Sequence, residues 1–179
     1  MTKTHKGFYL ASWVTGGIAI MIMLVFSWLA ALTGNQELSS DLYIYTLIPY
    51  TYLGIVWLAL LYRSWAAIQD GQASVTPVKA VVLMLVPFYR YYWIFRAFRN
   101  YAGEFNSYIS RHGLAVPNLP DGLFTAFPIL WITYGVLQSA VKGTGLHVLL
   151  AGSYLVVGTV AVNVLCSALN GLAEALEDS

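Results

Sequence analysis

The sequence predicts an all-α membrane protein: four transmembrane helices, a re-entrant or broken helix around Pro87, and an amphipathic helix on the cytoplasmic surface. Three observations carry that expectation. Of 179 residues, 59% are hydrophobic and 9% charged, where soluble domains carry about 25% charged residues. Apolar runs at residues 8–32, 42–62, 123–141 and 146–169 read as spans of a single membrane domain, 1–179. Between the second and third, a further apolar run meets Pro87 and turns aromatic and basic. A re-entrant element over 77–93 and an interfacial helix over 95–112 are expected there.

The net charge of +1 gives no basic footprint for nucleic acid. The single Cys166 lies in an apolar run, so neither an internal disulfide framework nor a multi-cysteine metal site is expected.

The chain begins with a short polar stretch carrying Lys3 and Lys6, like the n-region of a signal peptide. The run behind it exceeds the ~7–15 residues of a cleavable apolar region, so it reads as a retained first span. Polar and turn-forming residues 33–37 end it. The second span carries Tyr43, Tyr45, Tyr50 and Tyr52 near its start, where aromatic side chains sit at headgroup level. Gln69, Asp70 and Gly71 stop the helix that continues from it.

Thr76 and Pro77 form a helix start, a Thr cap followed by Pro at the first helical position. The helix expected over 78–86 would be half the length needed to cross a ~30 Å hydrocarbon core. Pro87 then removes a backbone hydrogen bond and clashes with the preceding turn. Beyond it, Phe95, Phe98, Ala102, Phe105, Ile109 and His112 recur at alternating spacings of three and four, with Arg96, Arg99, Asn100, Glu104, Ser107 and Arg111 opposite. Such a helix lies in the membrane interface. Gly113 ends it, residues 117–122 form a loop, and Asp121 can cap the third span, which contains Pro128. A short turn at 142–145 leads to the fourth, and the tail is acidic.

Lysine and arginine bias sets the threading. If residues 78–98 crossed fully, Arg96, Arg99 and Arg111 would lie outside, and Arg90 within the apolar run would cost roughly 2.5–3.5 kcal/mol if central. If the chain instead dips in and returns, Lys3, Lys6, Arg63, Lys79, Arg90, Arg96, Arg99 and Arg111 all lie inside and only Lys142 outside. The second threading is favoured. It places the N-terminus in the cytoplasm of a bacterial cell whose inner membrane holds the protein. Backbone groups freed near Pro87 must then be buried in protein, because lipid cannot satisfy them.

The segment Tyr62, Trp65, Ile68, Gln69, Asp70, Gly71, Thr76, Pro77, Lys79, then Pro87, Phe88, Tyr91, Tyr92, Trp93, Phe95 and Phe98, and then Asn106, resembles the core of an uncharacterised bacterial multi-pass inner-membrane protein family. In many such sequences the core follows a small GYF-type domain, which these residues do not include. Where the family pattern has asparagine after the Pro-Phe-aromatic triplet, this chain has Arg90. The resemblance implies the membrane class and carries no activity, cofactor or partner with it.

The candidate residues each admit two roles. Arg90, Arg96, Arg99 and Arg111 form an anionic-lipid or headgroup site, or act as snorkelling anchors and topology signals. Pro87, Phe88 and Trp93 mark the broken helix, and the aromatic residues around them line a lipid or quinone pocket or form an interfacial belt. Glu104 pairs with Arg111, contacts a partner chain or faces solvent. Ser12, Gly16, Gly152, Thr159, Asn163 and Ser167 form a helix-packing or partner face, with Asn163 the amide most in need of a partner. His5, His112 and His147 have no ligand at metal-binding spacing, so no metal is expected. No cofactor motif, nucleophile or acid–base set appears, and no carboxylate lies within a span. The expectation is a non-enzymatic protein without cofactors, an accessory or scaffold subunit packed against another membrane protein or itself. Its alternative is a lipid-binding or small-solute-handling protein that uses the broken helix and Arg90.

Overall fold

The computed structural model describes residues 4–142 and 144–177. Lys3 lies outside them. The described residues form helices α1 (Lys6–Leu32), α2 (Gln36–Tyr45), α3 (Leu47–Ala67), α4 (Pro77–Val82), α5 (Tyr89–Arg111), α6 (Asp121–Leu137) and α7 (Gly145–Glu177), with no strand among them. Three helical segments are long and apolar enough to cross a membrane: Lys6–Leu32, Gln36–Ala67 and Gly145–Glu177. The apolar α6 has 17 residues, roughly 26 Å at about 1.5 Å per residue.

Helix two begins earlier than expected. Asn35 caps it by accepting from the Leu38 N–H at 3.1 Å, so the polar residues 36–41 are its first turns. The Ser27 hydroxyl donates to the Ser39 carbonyl at 2.8 Å and ties α2 to α1. A break at Thr46 separates α2 from α3.

Close approach in the bundle depends on two glycines. A Cβ at Gly158 would lie 2.2 Å from the Trp13 ring, and one at Gly16 would lie 2.6 Å from Leu53. With no Cβ there, Trp13 seats itself between α1 and α7, its indole N–H donating to the Leu155 carbonyl at 3.1 Å. Trp13, Trp57, Phe98, Phe127 and Tyr154 form an aromatic centre with ring centroids as close as 4.8 Å. Lys6 donates to Ser167 and the Thr4 N–H to Asn170, both at 2.8 Å, so α1 begins where α7 ends. Trp28 packs against Gly145 at the opposite end.

The Pro87 region departs from expectation in two ways. First, the half-length helix is shorter: α4 stops at Val82, residues 83–88 are turns, and α5 starts at Tyr89. Trp93 therefore belongs to the same helix as the stripe expected to begin at Phe95. Pro87 has no N–H to donate into a helix. Phe88 reverses the chain at φ 61°, a region that a bulky side chain occupies only under strain. Second, the apolar face of α5 is covered by protein, while Arg90, Arg99, Asn100, Ser107 and Arg111 opposite remain exposed. The helix buries Trp93, Ile94, Ala97, Phe98, Tyr101 and Phe105 among other residues, because its apolar face meets the aromatic centre of α3 and α6. Of the expected stripe, Phe98, Ala102, Phe105 and Ile109 are buried, Phe95 is half-buried and His112 exposed.

Side-chain clips hold α4 and α5 in place. Trp93 Nε1–H donates to the Ala80 carbonyl and Trp65 Nε1–H to the Ala97 carbonyl, both at 3.1 Å. Glu104 accepts from the Ser74 N–H at 3.0 Å and from the Ser74 hydroxyl. Arg111 pairs with Asp70 at 2.6 Å. Thus the C-terminal half of α5 lies beside the loop that leads into α4.

Candidate functional site

The four arginines do not converge. They are strung along α5, and Arg90 and Arg111 stand roughly 30 Å apart along its axis at about 1.5 Å per residue. Arg111 is held by Asp70. That guanidinium, helped by a hydrogen bond from the Gln72 N–H, keeps the Asp70 carboxyl below the ordinary carboxylate range. Arg96 is half-buried, with a buried Nε that finds no acceptor among the described residues, and Arg99 is exposed.

Arg90 is placed differently. Its guanidinium lies 5.5 Å from the Trp131 ring centroid and 5.2 Å from that of Tyr91. Its one side-chain hydrogen bond among the described residues runs to the Tyr91 hydroxyl at 3.5 Å. No carboxylate lies within ion-pair distance of it among the described residues. It opens on a cavity of about 230 Å³ between α3, α5 and α6, whose wall includes Tyr50, Tyr134, Gln138 and Tyr154. The Tyr50 and Tyr134 hydroxyls are 2.5 Å apart, and Tyr134 is 3.0 Å from His147 Nε2. Tyr43 stands beside that imidazole, with Lys142 Nζ 4.3 Å from its ring centroid. A cation without a counter-ion, a hydrogen-bonded chain of phenols and an amide thus share one aromatic-walled space. Arg90 is itself exposed, so this arrangement can receive an oxygen-rich or anionic group from outside.

Tyr50, Tyr134 and His147 were not expected as a set. The sequence assigned Tyr50 to a headgroup belt and left His147 isolated. Instead Tyr50 is half-buried and bonded to Tyr134, whereas Tyr52 stays exposed while donating to the Ser12 hydroxyl at 2.8 Å. Tyr45 is exposed, as a belt residue would be. The missed signal was a tyrosine or histidine near the middle or mouth of three separate apolar runs.

Phe88 is 87% exposed and Pro87 is exposed with it. Trp93 is buried, with Lys79 Nζ 5.9 Å from its ring centroid. The expected partner face divides. Ser12 and Gly16 meet α3, Gly152 faces Met21 of α1, Thr159 bonds within α7, and Ser167 accepts from Lys6. Asn163 is exposed. Among the described residues no group of three His, Cys, Asp or Glu side chains is placed to hold a metal ion. No protein-family model, no curated protein and no solved structure matches the chain.

Proposed function

We propose that the protein is a multi-pass protein of a bacterial inner membrane that binds an anionic amphiphile drawn from the lipid, without transforming it. In this reading α1, α2–α3, α6 and α7 are four spans, and α4–α5 is a re-entrant hairpin. The N-terminus is cytoplasmic, which the lysine and arginine bias supports: Lys6, Arg63, Lys79, Arg99 and Arg111 belong to the end that carries Asp70, whereas Arg90, expected on that side, lies with Lys142 toward the other. One observation carries the binding role: Arg90, without a carboxylate partner, opens on the cavity of Tyr50, Tyr134 and Gln138. A guanidinium of that kind is matched to phosphate or carboxylate oxygens.

The test is the lipid retained after gentle detergent extraction, measured by native mass spectrometry. Wild type is expected to keep phosphatidylglycerol in preference to phosphatidylcholine, and Arg90→Gln to lose that preference about tenfold, as for a lost charge-assisted hydrogen bond. Equal retention by both proteins disposes of the reading.

A second reading has its own observation. A groove of about 320 Å³ runs between α1 and α7 over Gly17 and Gly152, edged by exposed Ile18, Ile22 and Val156, and the exposed Asn163 lies farther along α7. An accessory subunit would present this surface to a partner membrane protein or a second copy. Gly152→Ile, which fills the groove, should then release a co-purifying chain and leave lipid retention unchanged.

A further inference from the structure

Two phenols in the wall of the Arg90 cavity, Tyr50 and Tyr134, begin a chain that ends on an imidazole outside that wall. Tyr50 is half-buried, and among the described residues its hydroxyl has no hydrogen-bond partner other than Tyr134. His147, at the far end of the chain, is 2% exposed. Its ring stacks on Tyr134 of α6 with centroids 5.6 Å apart and meets Tyr43 of α2 at 5.7 Å. Tyr154 of its own helix stacks on the same Tyr134 ring. The charge that acts on the imidazole is Lys142, which lies over Tyr43. No carboxylate is within ion-pair distance of it among the described residues. The hydrogen-bond partners of His147 Nε2 and of both hydroxyls are therefore one another, and the direction of the whole chain depends on whether Nε2 carries a hydrogen.

We infer that anion binding in the Arg90 cavity is coupled to proton uptake by His147, which reverses this chain and frees the Tyr50 hydroxyl to donate to the ligand. With Nε2 bare, the ring accepts from Tyr134, and the Tyr134 oxygen accepts from Tyr50. Both phenol hydrogens are then engaged inside the chain, and Tyr50 offers a ligand only lone pairs, which repel an anion. An imidazolium has donors and no acceptor. Nε2–H must then donate to Tyr134, and Tyr134 to Tyr50. The Tyr50 hydrogen is left without an acceptor in the chain and is available to the cavity that Arg90 shares. A neutral ring can take the same direction with its hydrogen on Nε2, but only protonation makes it obligatory. The change needs one proton from solvent and two hydroxyl rotations, and no heavy atom has to move. Linkage is reciprocal: a proton on His147 tightens the anion, and the anion favours the proton. The inference rests on the reading that the cavity takes an anionic amphiphile, and it specifies the condition under which the cavity does so.

The experiment is a calorimetric titration of the full chain in mild detergent with dioctanoyl-phosphatidylglycerol, whose phosphodiester stays ionised throughout, between about pH 5 and pH 8, where an unperturbed imidazole titrates. Wild type is expected to bind about five- to tenfold tighter at the acid end, as for one hydrogen bond gained to a charged group. Near the midpoint, titrations in two buffers of different ionisation enthalpy should show proton uptake on binding. His147→Gln has nothing to titrate and should bind with the same affinity across the range. The other histidines, His5 and His112, lie at the opposite end of the bundle and stay in place in that variant. Tyr134→Phe keeps the stacked ring and cuts the chain, so its affinity should also be flat. A full pH response in Tyr134→Phe would mean that His147 acts through space and not through the phenols, and would overturn the inference. Wild-type affinity that does not change with pH, or binding without proton uptake, overturns it too, and neither result depends on a variant. Arg90→Gln at pH 8 keeps the two proposals apart: if it binds as wild type does, the underlying reading has failed, whereas a missing pH response alone removes only the coupling.

Discussion

The two ends of α5 differ in what their polar side chains touch. Toward its C-terminus, Glu104 holds Ser74 and Arg111 holds Asp70. Asn106 there makes two bonds with Leu119, accepting from its N–H at 2.7 Å and donating to its carbonyl at 3.0 Å. Toward its N-terminus, Arg90 meets aromatic faces and one distant phenol, beside a cavity. Further polar contacts hold the first end. There Gln69 donates to the Trp65 and Val75 carbonyls, Gly71 supplies a positive φ of 84° and Thr76 caps α4 by accepting from the Lys79 N–H. Their physical role is to pin a hairpin. Arg90 falls at the other end, where it has no ion pair among the described residues.

The comparison breaks most readily at Asn106. Asn106→Leu leaves a backbone N–H and a carbonyl without their partner. At about 1–3 kcal/mol per orphaned group the loss should be about 2–6 kcal/mol, read from denaturant unfolding in detergent. Asn106→Asp, which keeps the acceptor, should lose less. Arg90→Gln should behave in the opposite way, with stability within about 0.5 kcal/mol of wild type, as for surface changes that remove no structural contact, while lipid retention falls. If Arg90→Gln destabilises the chain as much as Asn106→Leu does, the two ends are alike and Arg90 is a structural residue.

Much of this fold could be read from local chemistry. The long apolar runs mark α1 and α7, Thr76-Pro77 marks the start of α4, and Gly113 ends α5 with φ 61°. The boundaries of the broken helix were harder. Proline forbids a continuous helix but does not say how early the preceding one unwinds, and here it ends at Val82, five residues before Pro87. The polar start of α2 was hidden because Asn35 looked like a turn residue when it was also a cap. The site was the least legible part. Tyr50, Tyr134 and His147 come from three helices, and no spacing within one run encodes a contact between runs. What covers the apolar face of α5 was hidden for the same reason: its stripe marks which face is apolar, whereas Trp57 and Phe127 decide what packs on it.

Phe88 provides a finer test of the Arg90 end. Its positive φ, at a position where the side chain is almost fully exposed, stores strain that packing does not repay. A non-glycine residue held in such a region costs on the order of 1–3 kcal/mol, and glycine returns part of the relief as backbone entropy. Phe88→Gly should therefore raise stability in detergent by about 1 kcal/mol or less, measured by denaturant midpoint. A loss instead would mean that the Phe88 ring contributes contacts, and that the hairpin tip is bound into the fold no less firmly than the Asp70 end.

The smallest expected effect is the pH dependence of the Asp70 clip. Its carboxyl is held below the ordinary carboxylate range by Arg111 and the Gln72 N–H. A depressed folded-state value means that the stabilisation is present above the unfolded value, near pH 4, and is lost as pH falls through the folded one. The pair is solvent-facing, so salt should weaken it further. Hydrogen exchange at the Gln72 amide, protected at pH 7 by its bond to Asp70, should quicken as pH falls through the folded-state value, after correction for intrinsic rates, because a neutral carboxyl is a weaker acceptor and releases Arg111. Asp70→Asn has no charge to lose, so its protection should vary little over the same range. Arg90 faces no carboxylate among the described residues, so amides at the Tyr89 end of α5 should show no such acid transition. An equal transition at both ends would mean that the loop and the hairpin tip open together, and that the clips hold the whole hairpin rather than one end of it.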